Sequence, residues 1–118
     1  MNLSQFFALI RPRTLTAAFS PVVLGAAMGA TQFQQTQPLW LSLFYTVGIL
    51  ICVLSAQMAA NIWNEYFDFK SGLDLTQVAG NSGSIVRDGI SPSVIKRWGY
   101  ITTILPLILG IALANAVT

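Results

Sequence analysis

Hydrophobic residues in this chain run in long unbroken stretches, and polar positions gather between the runs instead of alternating within them. From Thr14 to Asn64 there is not one Asp, Glu, Lys or Arg across 51 residues. A helix needs about 20 apolar residues to cross the hydrocarbon layer, so this stretch accommodates two crossings. Continuous rather than alternating apolarity predicts helices, which satisfy every backbone polar group internally in lipid. The expected spans are residues 15–31, 39–69 and 93–117. QFQQTQP at 32–38 reads as an uncharged turn between the first two. Residues 70–92, KSGLDLTQVAGNSGSIVRDGISP, carry Gly, Ser and Asp and read as a loop. Ahead of the first span, MNLSQFFALIRPRTL is either an ordinary polar lead-in or a short amphipathic helix. In the helical reading Phe6, Phe7, Leu9 and Ile10 face lipid, with Arg11 and Arg13 at the headgroups. Gly25 and Gly29 form a GxxxG pair that would admit a close helix neighbour, and Pro106 predicts a kink in the third span.

Composition agrees with this pattern: 54% of the 118 residues are hydrophobic and 8% charged. The fold class expected is therefore an all-α membrane protein with three transmembrane helices. The net charge of +2 matters less than its placement. Arg11 and Arg13 precede the first run, while Lys70, Arg87, Lys96 and Arg97 fall between the second and third. The positive-inside bias then puts the N-terminus and the 70–92 loop on the cytoplasmic side. The lone Cys52 excludes a disulfide within the chain, and the absence of His removes imidazole metal ligands and His-based proton transfer from it. A metal held here would have oxygen ligands, which favours Mg²⁺ or Ca²⁺.

The chemistry concentrates at the end of the second run, where residues 64–74 read NEYFDFKSGLD. Wound at about 100° per residue, Gln57, Asn61, Asn64, Glu65 and Asp68 share an arc of about 100°, one polar stripe on an apolar rod. Polar groups at membrane depth are costly unless they face a cavity or a partner. Gln57 and Asn61 have a plain alternative as interhelical hydrogen-bonding glue, and Glu65 and Asp68 as interfacial charges. Asp74 adds a third carboxylate, and Gly72 would let the chain fold it back toward Asp68. Clustered carboxylates tolerate one another when a cation lies between them. Asn64, Asp68 and Asp74 supply hard oxygens, and Mg²⁺ on one or two carboxylates keeps positions open for substrate phosphates. Arg87 and Lys70 add positive charge suited to a diphosphate. The cluster reads as a metal-diphosphate site at a membrane surface.

This stretch resembles the first aspartate-rich motif of the UbiA-type intramembrane prenyltransferases, NDxxDxxxD. Asn64, Glu65 and Asp68 match its first part, with Glu in place of Asp, and the last carboxylate is Asp74 where the usual position is Gly72. That form, with RPRTLTAAFSPVVLGAAMG at 11–29 and GSIVRDGIS at 83–91, is similar to the 1,4-dihydroxy-2-naphthoate prenyltransferase branch of menaquinone biosynthesis. The resemblance implies the start of a bundle of about nine helices that transfers a polyprenyl group from its diphosphate to an aromatic acceptor. Mg²⁺ would lie on Asn64, Asp68 and Asp74. Asp68, Asp74 and Arg87 would be the catalytic set, and Asn61, Glu65, Lys70 and Arg87 would contact substrate. The implied partners are a polyprenyl diphosphate, 1,4-dihydroxy-2-naphthoate, membrane lipid and a possible second chain carrying the rest of the bundle, with no nucleic acid. The implied location is a bacterial cell membrane. Because the second aspartate-rich motif of the family lies outside these residues, the chain alone is expected to be weakly active or inactive. Other readings are a different acceptor (4-hydroxybenzoate or homogentisate), a non-catalytic membrane remnant or subunit, and an ion-translocating fragment lined by Gln57, Asn61 and Asp68.

Overall fold

The computed structural model describes residues 1–32, 38–71 and 89–117, and side chains within these except at 30–32 and 117. The described elements are four helices: α1 (Leu3–Ile10), α2 (Pro12–Gln32), α3 (Leu39–Lys70) and α4 (Pro92–Val117). Each begins where its sequence says a helix can. Asn2 caps α1 through a reciprocal box, its side chain accepting from the Gln5 N–H at 2.8 Å while the Gln5 side chain accepts from the Asn2 N–H at 3.0 Å. Pro12 and Pro92 occupy the first positions of α2 and α4, where a missing N–H costs no hydrogen bond, and Pro38 caps α3.

The break between α1 and α2 is also local. Pro12 disfavours helical backbone at the residue before it, and Arg11 leaves the helix in the left-handed region at φ 52°. The corner satisfies its freed carbonyls from side chains. Thr14 Oγ1 donates to the Arg11 carbonyl at 2.8 Å, and Asn61 Nδ2 on α3 donates to the Ile10 carbonyl at 2.7 Å. The amphipathic reading of the N-terminus is the one the structure adopts. Its apolar face, however, does not all meet lipid: Leu9 and Ile10 are buried against Ile62, Ile90 and Ile95, with Phe6 alongside Trp98 at 5.0 Å between ring centroids.

That cluster is the buried core of the described residues, and it sits at the end of the molecule where α3 finishes and α4 starts. Elsewhere large apolar side chains face outward, among them Phe19, Leu24 and Met28 on α2, Phe44 on α3 and Ile108 on α4; Trp40 is 68% exposed. A water-soluble monomer does not carry so much bare apolar surface. Two helices, α3 and α4, are long and apolar enough among the described residues to cross a membrane. The chain is thus an all-α membrane protein. α2 contains the residues of the first expected span and would extend about 31 Å, but among the described residues it is not one of the two helices that meet this measure of length and apolarity.

Along their shared length α3 and α4 are joined by specific contacts. Pro106 lies inside α4, which runs unbroken from Pro92 to Val117. Lacking an N–H, Pro106 leaves the carbonyl one turn earlier, that of Thr102, without its helical donor. Ser55 on α3 is buried and donates its hydroxyl to that carbonyl at 3.1 Å. No heavy atom lies within 4 Å of a Cβ built on Gly25 or Gly29, so the expected GxxxG approach is not made among the described residues.

Candidate functional site

The polar stripe exists as a helical face, because α3 continues without interruption through Lys70. The core at the end of α3 divides it. Asn61 and Glu65 are turned inward, 4% and 2% exposed, on the side that packs against the α1–α2 corner. Both hydrogens of the Asn61 amide are committed, one to the Ile10 carbonyl and one to Thr14 Oγ1, each at 2.7 Å. Asn61 thereby fastens the N-terminal corner to α3. The sequence raised this reading as interhelical glue beside the expectation of a substrate contact. Asn64 is exposed and Asp68 half-buried, one helical turn apart on the open part of the stripe. Ser71 closes the helix there, its N–H bonding to the Phe67 carbonyl at 2.9 Å and its hydroxyl to the Asp68 carbonyl at 3.2 Å.

Two features of this end favour cations. The C-terminus of α3 carries the negative pole of the helix dipole, and Asn64 and Asp68 present hard oxygens one turn apart. Among the described residues no three His, Cys, Asp or Glu side chains form a metal-binding group. Asp74 and Gly72, which the sequence reading joins to Asp68, lie outside the described residues, as does Arg87. Of the expected oxygen ligands, Asn64 and Asp68 are the two within the described residues, and their hard oxygens are of the kind Mg²⁺ takes.

Lys70 takes a different place. It lies about 160° around the helix from Asp68 and lines an open groove with Trp63, Tyr66 and Phe67 of α3 and Lys96 and Tyr100 of α4. The structure therefore brings Lys70 together with Lys96 and aromatic rings, away from the Asn64–Asp68 face. Sequence reasoning used Lys96 only as one of the cations that set the orientation, and it did not single out Tyr100. The signal available was aromatic and basic residues recurring near both helix ends, the usual composition of a membrane interface.

The comparisons with known proteins agree with the motif. Over 103 residues, 87% of the chain, it is 36% identical to a 1,4-dihydroxy-2-naphthoate octaprenyltransferase of Bacillus subtilis, covering 31% of that protein. It is also 27% identical over 96 residues to the human UbiA prenyltransferase domain-containing protein 1, covering 26% of it, and 32% identical over 74 residues to a Drosophila melanogaster homolog, covering 20%. The chain belongs to the UbiA-type family of prenyltransferase enzymes. It spans about a third or less of the length of these relatives. No protein-family model and no solved structure matches it.

Proposed function

We propose that these residues supply part of the active site of a Mg²⁺-dependent enzyme that transfers a polyprenyl group from its diphosphate to 1,4-dihydroxy-2-naphthoate, a step of menaquinone biosynthesis. The observation that carries the reading is the placement of Asn64 and Asp68 one turn apart at the dipole-negative end of an apolar helix, in a chain 36% identical to an enzyme named for that transfer. Asn64, Asp68 and Asp74 are the proposed Mg²⁺ ligands. When bound, the metal would supply the positive charge that stabilises a departing diphosphate. Arg87 takes the diphosphate oxygens, as a guanidinium fork suits them better than a single ammonium.

The chain's other polar residues shape and hold that site. Asn61 clamps the α1–α2 corner against α3 and so fixes the wall beside Asp68. Glu65, buried one residue from Asn64, acts in this proposal as support from behind the ligands and not as a ligand. The apolar flanks of α3 and α4 accept the isoprenoid tail, and the lipid environment keeps water from an electron-deficient allylic centre until the aromatic ring attacks it. The N-terminus and the 70–92 segment lie on the cytoplasmic side of a bacterial membrane. A second part of the bundle, on this chain's continuation or on a partner, completes the site, and these residues alone turn over weakly or not at all.

The test is product formation in membranes containing the complete protein, given Mg²⁺, a polyprenyl diphosphate and one of three acceptors. Prenylation of 1,4-dihydroxy-2-naphthoate in preference to 4-hydroxybenzoate and homogentisate is expected. Preference for either of the others overturns the acceptor, and no prenylation of any of the three overturns the activity.

A further inference from the structure

The face of α3 that the proposed reaction does not use carries a second arrangement. Trp63, Tyr66, Phe67 and Lys70 lie about 100–160° around the helix from Asp68. With Lys96 and Tyr100 of α4 they line an open groove of about 480 Å³. Its wall is held in place. Trp63 stacks on Phe67 at 5.6 Å between ring centroids and meets Tyr100 edge-on at 5.1 Å. The indole Nε1 donates to Thr103 Oγ1 at 2.9 Å, and the ring sits so near α4 that only a glycine fits opposite it at Gly99. Lys70, the last residue of α3, and Lys96, just inside the start of α4, bring two exposed ammonium groups to the groove. Among the described residues no Asp or Glu lines it.

We propose that this groove binds an anionic phospholipid, with the headgroup phosphate between Lys70 and Lys96 and the upper acyl chain along the Trp63–Phe67 wall. The chemistry selects this occupant. Two cations at one end and aromatic rings along the rest match an amphiphile with an anionic head and an apolar tail. A covering helix without carboxylates of its own would have to desolvate both ammonium groups unpaired, which is unfavourable. A metal-bound diphosphate would lack ligand oxygens here, because Asn64 and Asp68 are on another face. The lipid contact therefore lies on the back of the same helix that carries the reaction's proposed ligands.

The experiment uses the purified complete protein with Trp40→Phe, Trp98→Phe and any tryptophan outside these residues likewise replaced by Phe, so that Trp63 is the remaining indole. It is placed in phosphatidylcholine vesicles containing a small fraction of brominated phosphatidylglycerol or, separately, the same fraction of brominated phosphatidylcholine. Trp63 fluorescence is expected to be quenched at lower mole fraction by the anionic lipid, with each lysine contributing about fivefold in apparent affinity. Lys70→Gln with Lys96→Gln should abolish the preference, and Lys70→Arg with Lys96→Arg should retain it, which separates lost charge from lost folding. Inorganic phosphate should not relieve the quenching. Equal quenching by both lipids, quenching by neither, relief by inorganic phosphate, or displacement of the lipid by a prenyl diphosphate with Mg²⁺ would each overturn the proposal.

Discussion

Replacing Gly99 by Ala tests the α3–α4 packing at its tightest point. A Cβ at that position would lie 2.8 Å from Trp63 Cε2 and 2.9 Å from Cζ2, closer than real side chains approach. The indole is rigid and tethered by its 2.9 Å hydrogen bond to Thr103, whose own hydroxyl bonds the Gly99 carbonyl at 2.7 Å. Relief therefore requires α3 and α4 to move apart or the indole to leave Thr103. Overpacking costs about 1–3 kcal/mol, and losing the hydrogen bond adds about 0.5–1.5 kcal/mol. Against this, Ala is better than Gly in a helix by about 1 kcal/mol. The clash wins, for a net destabilisation of about 1–3 kcal/mol. Gly110→Ala is the control, since no heavy atom lies within 4 Å of its Cβ position, and it should be neutral or slightly stabilising. Unfolding in mixed micelles with increasing SDS, followed by tryptophan fluorescence, reads both. In a Trp63→Leu background the cost of Gly99→Ala should largely vanish, as expected for two residues in contact. If Gly99→Ala is as stable as the parent, or costs the same without the indole, the packing argument is refuted.

Two further substitutions probe polar contacts between the helices. Asn61→Leu removes both donors from the α1–α2 corner and leaves the buried Ile10 carbonyl without its side-chain partner, at an expected cost of about 1–3 kcal/mol; protease cleavage near Arg11 and Arg13 should accelerate while the α3–α4 pair stays intact. Ser55→Ala strips the donor from the carbonyl that Pro106 freed and should destabilise by about 1–2 kcal/mol, whereas in a Pro106→Ala background, where the helix supplies its own N–H, the same change should cost much less in the micelle assay.

Much of the architecture could be read from the chain because membrane insertion leaves a coarse signal. Unbroken apolar runs located α3 and α4 to within a residue or so. The Asn61–Asp68 stripe was also legible, since its spacing depends only on helical periodicity. Its division was not: which part of the stripe is covered depends on where the α1–α2 corner docks, a tertiary contact that no local pattern encodes. The same limit applies to Gly99. Within a helix it reads as a weak helix former, and only the facing Trp63 explains why a larger residue does not fit. Ser55 likewise became meaningful only once it stood opposite the carbonyl that Pro106 orphans. Lys70 was placed with the diphosphate from its proximity in sequence to Asp68, but two residues along a helix is nearly the opposite face.

The proposed function rests on the polar end of α3 as a metal-dependent diphosphate site. Equilibrium binding of a labelled prenyl diphosphate to the purified complete protein, with and without Mg²⁺, tests it most directly when parent and Asp68→Asn are compared. The prediction is binding that requires Mg²⁺ and weakens about tenfold or more in Asp68→Asn, as losing a charge-assisted contact implies. Binding that is indifferent to Mg²⁺, or unchanged in Asp68→Asn, would contradict it.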